Sequence, residues 1–145
     1  MKKPTKDREN RDPKALPTCA DEALWWATDV LKFVTNRPRL EAELLLMCHL
    51  DCARVHLLAH PEQGLTPDQA RRFVADVHRR ASGEPLPYLR GEIEFFGLDF
   101  EVTPDVLIPR PETEQLVELG RDWLDAHPGS FGVDVGTGSG CIAVT

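Results

Sequence analysis

The sequence predicts an α+β chain in three parts: a small N-terminal helical bundle, a β-hairpin linker and the start of an α/β domain. Three observations carry this reading. From Ala23 to Ala81 apolar residues recur at intervals of three and four, the helical period. Around Gly97 the period drops to two, as in strands. Near the end, the apolar run Phe131–Val135 feeds Gly136-Thr137-Gly138-Ser139-Gly140, which reads as a buried strand, a glycine loop and the opening of a helix. The boundaries implied are a tail over 1–17, the helical domain over 18–84, the hairpin linker over 85–110 and the α/β start over 111–145.

Each helix has its own punctuation. After Pro17, Thr18 with Asp21 resembles a capping box, and Ala23, Leu24, Ala27, Val30, Leu31 and Val34 form a stripe. Asn36-Arg37-Pro38 interrupts it. A second helix is expected to turn Leu40, Leu44, Met47 and Cys48 to one face, widened by Leu45. A third covers 53–59. The fourth is the best specified: Thr66 caps it, Pro67 takes the first turn, Gln69 completes the box, and Gly83 and Pro85 end it. Its stripe is Ala70, Phe73, Val74, Val77 and Ala81. Short loops make these four helices a small antiparallel bundle. Trp25, Trp26 and Phe33 need no cofactor to explain them.

Beyond Pro85, Ile93, Phe95, Leu98, Phe100 and Val102 alternate with polar residues, a hairpin whose Phe96-Gly97-Leu98-Asp99 turn departs from the favoured chemistry. Val106-Leu107-Ile108 is extended and leads into Pro109-Arg110-Pro111. Pro111 suits a helix start, with Glu112 and Glu114 at its positive end. Leu116, Val117, Gly120, Trp123 and Leu124 are expected to face inward, and His127-Pro128-Gly129 closes the helix.

Composition bounds the function. Of 145 residues, 41% are hydrophobic and 28% charged, the profile of a soluble globular chain. No apolar run suits a bilayer, and no apolar stretch follows the basic N-terminus, so a cytoplasmic protein without a secretory signal is expected. Six basic residues against three acidic ones give residues 1–14 a charge of +3, which leaves −10 of the net −7 to the rest. The tail reads as solvated and disordered, with contact to RNA or ribosome as the alternative; the acidic body is a poor nucleic-acid binder. Cys19, Cys48, Cys52 and Cys141 read as free thiols. Cys48 and Cys52 flank His49, but no second ligand pair stands at useful spacing, so packing is expected and no metal.

The glycine loop carries the chemistry. Glycines let the backbone turn sharply and approach a ligand, and a following helix offers free N–H groups. A dinucleotide loop wants G-x-G-x-x-G, whereas here Cys141 follows Gly140 and the third glycine falls one place early. Asp134, two residues before the loop, is typical of S-adenosylmethionine loops. From the loop alone a methyltransferase, a dinucleotide enzyme and a glycine turn without ligand all stay open.

Upstream motifs occur in a fixed order: Gly83-Glu84-Pro85-Leu86-Pro87-Tyr88-Leu89, Phe95-Phe96-Gly97-Leu98, Val106-Leu107-Ile108-Pro109-Arg110-Pro111-Glu112-Thr113-Glu114 and Asp134 through Ala143. With Trp26-Ala27-Thr28-Asp29 and the run from Pro38 to Leu46, they resemble the HemK/PrmC-type peptide chain release factor glutamine methyltransferases from about Ala23 onward. The resemblance implies a helical domain that docks the release factor, and the beginning of a class I methyltransferase domain, Rossmann-like with a doubly wound sheet. It implies methyl transfer from S-adenosylmethionine to the glutamine amide nitrogen of a Gly-Gly-Gln motif. Gly136, Thr137, Gly138, Ser139 and Gly140 would bind the cofactor; Phe96, Pro109, Arg110, Pro111, Glu112 and Thr113 would wall the active site. A monomer is expected, with no membrane partner and no sequence-specific nucleic acid.

The family's Asn-Pro-Pro-Tyr signature is absent; Asn36-Arg37-Pro38 has the wrong pattern and place. An amide nitrogen is a poor nucleophile that must be gripped and aimed, so no catalytic residue is assigned. The acidic residue that would hold the cofactor ribose is also missing. Eleven residues follow Asp134, too few for a doubly wound sheet. The expectation is a catalytically incomplete front part of a longer enzyme, through a gene fragment, a frameshift or an incomplete sequence. The alternatives are a non-catalytic helical module docking release factor or ribosome, and a dinucleotide-dependent enzyme fragment. The position of Cys141 and the Ile108–Glu114 block weigh against the latter.

Overall fold

A computed structural model describes residue 13 and residues 15–145. The basic tail expected over 1–17 lies outside them apart from Pro13 and residues 15–17, of which Pro17 is buried. The chain divides into two compact units between Leu89 and Arg90.

The first unit is helical. Helices α1 (Ala20–Leu31), α2 (Pro38–Leu50) and α4 (Pro67–Ala81) pack on one another, with α3 (Arg54–Ala59) against α2; α5 (Leu86–Arg90) is one short turn. Their core joins Leu24, Leu31, Leu45, Leu46, Leu57, Phe73 and Val77, and Trp26 meets the Phe73 ring edge-on at 6.3 Å. The α4 start is as the sequence predicts: Thr66 Oγ1 accepts the Gln69 N–H, and Gln69 returns a bond to the Thr66 backbone. The α1 start differs by one residue. Cys19 is its cap, and Glu22, not Asp21, accepts from both the N–H and hydroxyl of Thr18 at 2.8 and 2.9 Å. Those two bonds, the backbone one foremost, hold the Glu22 carboxyl below its usual range.

The inner face of α2 also differs from expectation. Ala42, Glu43, Leu45 and Leu46 are buried, whereas Leu40, Leu44 and Met47 are half-buried and Cys48 is exposed. The reason is Glu43, only 2% exposed. Its carboxylate accepts from Arg39 Nε and Arg54 Nε, each at 2.8 Å, so a charge sits inward because two guanidinium groups meet it. Further along, His49 Nε2 meets Asp76 Oδ2 at 3.0 Å, and Arg80 Nε donates to Glu41 Oε2 at 2.7 Å, tying α2 to α4.

The second unit opens with an antiparallel hairpin, β1 (Glu92–Phe95) and β2 (Leu98–Glu101). Its register pairs Ile93 with Phe100 and Phe95 with Leu98 on one face, and Glu92 with Glu101 and Glu94 with Asp99 on the other. A 3-10 turn, Pro111–Thr113, precedes α6 (Glu114–Ala126), and α7 (Cys141–Val144) is a single turn. The predicted strand Phe131–Val135 does not form: Phe131, Val133 and Val135 are 85%, 76% and 89% exposed. A strand of a parallel sheet needs neighbours for its backbone groups, and the sheet among the described residues is two-stranded and antiparallel. For the same reason Leu116, Trp123 and Leu124 of α6 are exposed rather than inward; Val117 alone among the expected α6 face is buried. Among the described residues no helix is long and apolar enough to cross a membrane.

Like charges directly opposite across a hairpin repel. Replacing Asp99 by Thr removes one such opposition and is expected to stabilise the hairpin by about 0.2–1 kcal/mol, read from its amide exchange.

Candidate functional site

The second unit holds most of the site residues the sequence points to, and they are built around the hairpin tip. Phe96 and Gly97 connect the strands with φ of 54° and 77°, the sign pattern of a type I′ turn. Glycine takes this conformation freely; for Phe96 it costs about 1–2 kcal/mol. Carboxylates meet both turn amides. Phe96 N–H donates to Glu114 Oε1 at 2.9 Å, and Gly97 N–H donates to Glu94 Oε1 at 3.2 Å. The Arg121 guanidinium lies 5.7 Å from the centre of the Phe96 ring, within cation–π range. Glu114, Val117 and Arg121 follow a helical period on α6, so one face carries all three. Val117 is buried with Phe95, Phe100 and Cys141.

Between hairpin and α6 runs the segment that the sequence leads one to expect as an active-site wall. Pro109 is buried, Arg110, Pro111 and Glu112 are exposed, and Thr113 is half-buried. Thr113 N–H closes the 3-10 turn on the Arg110 carbonyl at 2.9 Å. Pro111 therefore opens a 3-10 turn rather than α6 itself, and Thr113 is the α6 cap.

The glycine loop takes a conformation that its glycines permit. Gly136, Gly138 and Gly140 have φ of 80°, 55° and 80°, and Gly140 N–H donates to the Thr137 carbonyl at 2.8 Å. No atom would crowd a Cβ at Gly136, so that face of the loop is open to an approaching group. Cys141 docks the loop on the hairpin: it is 7% exposed against Phe95, Phe100 and Val117. Two polar atoms flank the loop without a hydrogen-bond partner among the described residues, Asp134 Oδ2 and Ser139 Oγ, and both are buried. A buried carboxylate oxygen without a donor is costly, so this pair suits a ligand that brings donors or positive charge.

Beside the loop is a cavity of about 540 Å³, bounded by α6 through Leu116, Gly120, Arg121 and Leu124, by 132–134, and by Ile142, Ala143 and Thr145. That volume suits a small organic molecule, and Arg121 and Asp134 are its charged groups. Gly136, Thr137, Gly138, Ser139 and Gly140 adjoin it through Asp134 without lining it, and neither Phe96 nor Pro109–Thr113 reaches it. Asn36-Arg37-Pro38 is accounted for by structure: Pro38 is the first residue of α2. Cys48 and Cys52 lie at the end of α2 and after it, and His49 is engaged by Asp76; no group of three metal-ligating side chains is found among the described residues. Arg121 and Glu94 were not singled out by the sequence. The seven-residue step from Glu114 to Arg121, which places both on one face of α6, is the signal that could have found the first.

Residues 22–91 match the PrmC N-terminal domain. That match covers just under half of the chain. Similarity extends past that domain. A release factor glutamine methyltransferase of Koribacter versatilis is 50% identical over 111 residues, 77% of this chain and 40% of its own length. Those of Nitratidesulfovibrio vulgaris and Coxiella burnetii are 50% and 48% identical over 110 and 114 residues, 76% and 79% of this chain and 37% and 41% of theirs. The chain thus spans about two fifths of the length of these relatives.

The docking of the loop through Cys141 has a direct chemical check. Cys48 is exposed, Cys19 and Cys52 are half-buried, and burial pushes the Cys52 thiol up. Thiol alkylation of the native chain, followed by mass spectrometry, is expected to modify Cys48 first and Cys141 last, because only exposed thiolates react quickly. Equal rates at Cys48 and Cys141 would mean that the loop is not held on the hairpin.

Proposed function

We propose that this chain supplies the docking domain and the first part of the methyl-donor site of a release factor N5-glutamine methyltransferase. The observation that carries this is the run of about half-identical residues to proteins of that name, which covers three quarters of the chain and both of its units. In this reading the helical unit binds the peptide chain release factor. Residues 111–145 begin a Rossmann-like class I methyltransferase domain. The uncovered apolar side chains of α6 and 131–135 are the surfaces that a doubly wound sheet buries.

S-adenosylmethionine, when bound, supplies an electrophilic methyl on a sulfonium. The open backbone at Gly136 and the unpartnered Asp134 Oδ2 and Ser139 Oγ suit the ammonium and carboxylate groups of its amino acid end. Phe96 and Pro109–Thr113 would wall the side from which the glutamine of a Gly-Gly-Gln motif approaches. That amide nitrogen must be gripped by a side-chain oxygen and a carbonyl, the task of Asn-Pro-Pro-Tyr, and this sequence has no such motif. A second reading has its own support: the domain match ends at residue 91, and the helical unit has a core of its own, as a non-catalytic docking module would.

Immobilised release factor is expected to retain the chain, and labelled S-adenosylmethionine is expected to leave the bound factor unmethylated. Loss of retention would remove the docking reading. Methyl transfer above the blank would show that the chain carries a complete grip after all.

A further inference from the structure

We propose that Glu114 and Arg121 are positioning residues that hold Phe96 at two points, Glu114 at its amide and Arg121 at its ring, so that α6 dictates where the hairpin-tip ring stands. The proposal rests on the reading of Phe96 as a wall of the methyl-donor site. Local preference would not put Phe there: a type I′ turn favours Asn, Asp or Gly, whose backbones accept positive φ. Phe96 sits at φ 54° nonetheless, and its half-buried ring packs at the margin of the apolar cluster of Phe95, Phe100, Val117 and Cys141 rather than inside it. The ring of the core is the neighbouring Phe95, which is 1% exposed and meets Phe100 edge-on.

What keeps Phe96 in place comes from α6. Glu114 Oε1 accepts its N–H at 2.9 Å from the first turn of that helix, and Arg121 reaches its ring two turns later. A strained residue held by distant side chains, where a glycine would be free of strain, is placed for its side chain. Arg121 also borders the cavity, so a group entering there meets the same guanidinium that steadies the ring.

Amide hydrogen exchange and ring contacts of Phe96, measured by NMR on the whole chain, test this. The Phe96 amide is expected to exchange about tenfold or more slowly in the wild type than in Glu114→Ala, since the bond to a charged acceptor is lost. Glu114→Gln, which keeps an acceptor oxygen, is expected to restore protection. Arg121→Leu should leave the amide protected while the ring loses its contact with residue 121. Equal exchange in wild type and Glu114→Ala, or no rescue by Gln, overturns the proposal. If Glu114→Ala does not fold, Glu114→Asp, one methylene shorter, replaces it against Gln with the same expectations. Added S-adenosylmethionine separates the two readings. A protected Phe96 amide whose signals ignore the donor leaves the clamp standing and removes the wall reading. A donor response at an unprotected amide does the reverse.

Discussion

The second unit depends on one constraint: the hairpin must turn through Phe96 with a positive φ, and the Glu114 carboxylate must be there to take the amide that the turn leaves free. The strand register follows from the two-residue turn, since a slip by one residue would bring the acidic face inward. Setting the register places Phe95 and Phe100 together on the apolar face, where Val117 and Cys141 meet them. The bond from Glu114 thus fixes the start of α6 relative to the hairpin. Cys141 does the same for the glycine loop. A small apolar cluster and one charged hydrogen bond organise a segment that has little core otherwise.

The helical unit is held differently. Its core is larger, and ion pairs add to it: Glu43 meets Arg39 on its own helix and Arg54 on α3, and Glu41 meets Arg80 on α4. A buried carboxylate is weak evidence for stability in itself, since its desolvation offsets much of the attraction. What it does supply is direction: α2 can present Glu43 inward only where both arginines reach it. That fits a domain recognisable as a family on its own over residues 22–91.

Legibility in the sequence followed the range of the interactions. The Thr66–Gln69 box is local and was readable to the residue. The α1 cap shifted by one because Glu22, not Asp21, reaches Thr18. The α2 face was misplaced because periodicity counts Glu43 as outward, and only the distant Arg54 shows otherwise. The Phe96 turn departs from turn chemistry because Glu114, 18 residues on, stabilises it. Apolar residues at 131–135 and along α6 have strand and helix patterns that are clear in the sequence, yet patterns state what a segment could bury, not that a partner is present. At the candidate site, the open glycine backbone was legible from composition, whereas the cavity and the role of Arg121 needed the packing of α6.

The proposed methyl-donor site begins at Asp134 and the glycine loop. Its most direct test is ultraviolet cross-linking of radiolabelled S-adenosylmethionine to the chain, with the labelled peptide then sequenced. The label is expected within 131–145, competed away by S-adenosylhomocysteine. A label confined to the helical unit, or none where a full-length PrmC-type relative is labelled under the same conditions, would contradict it.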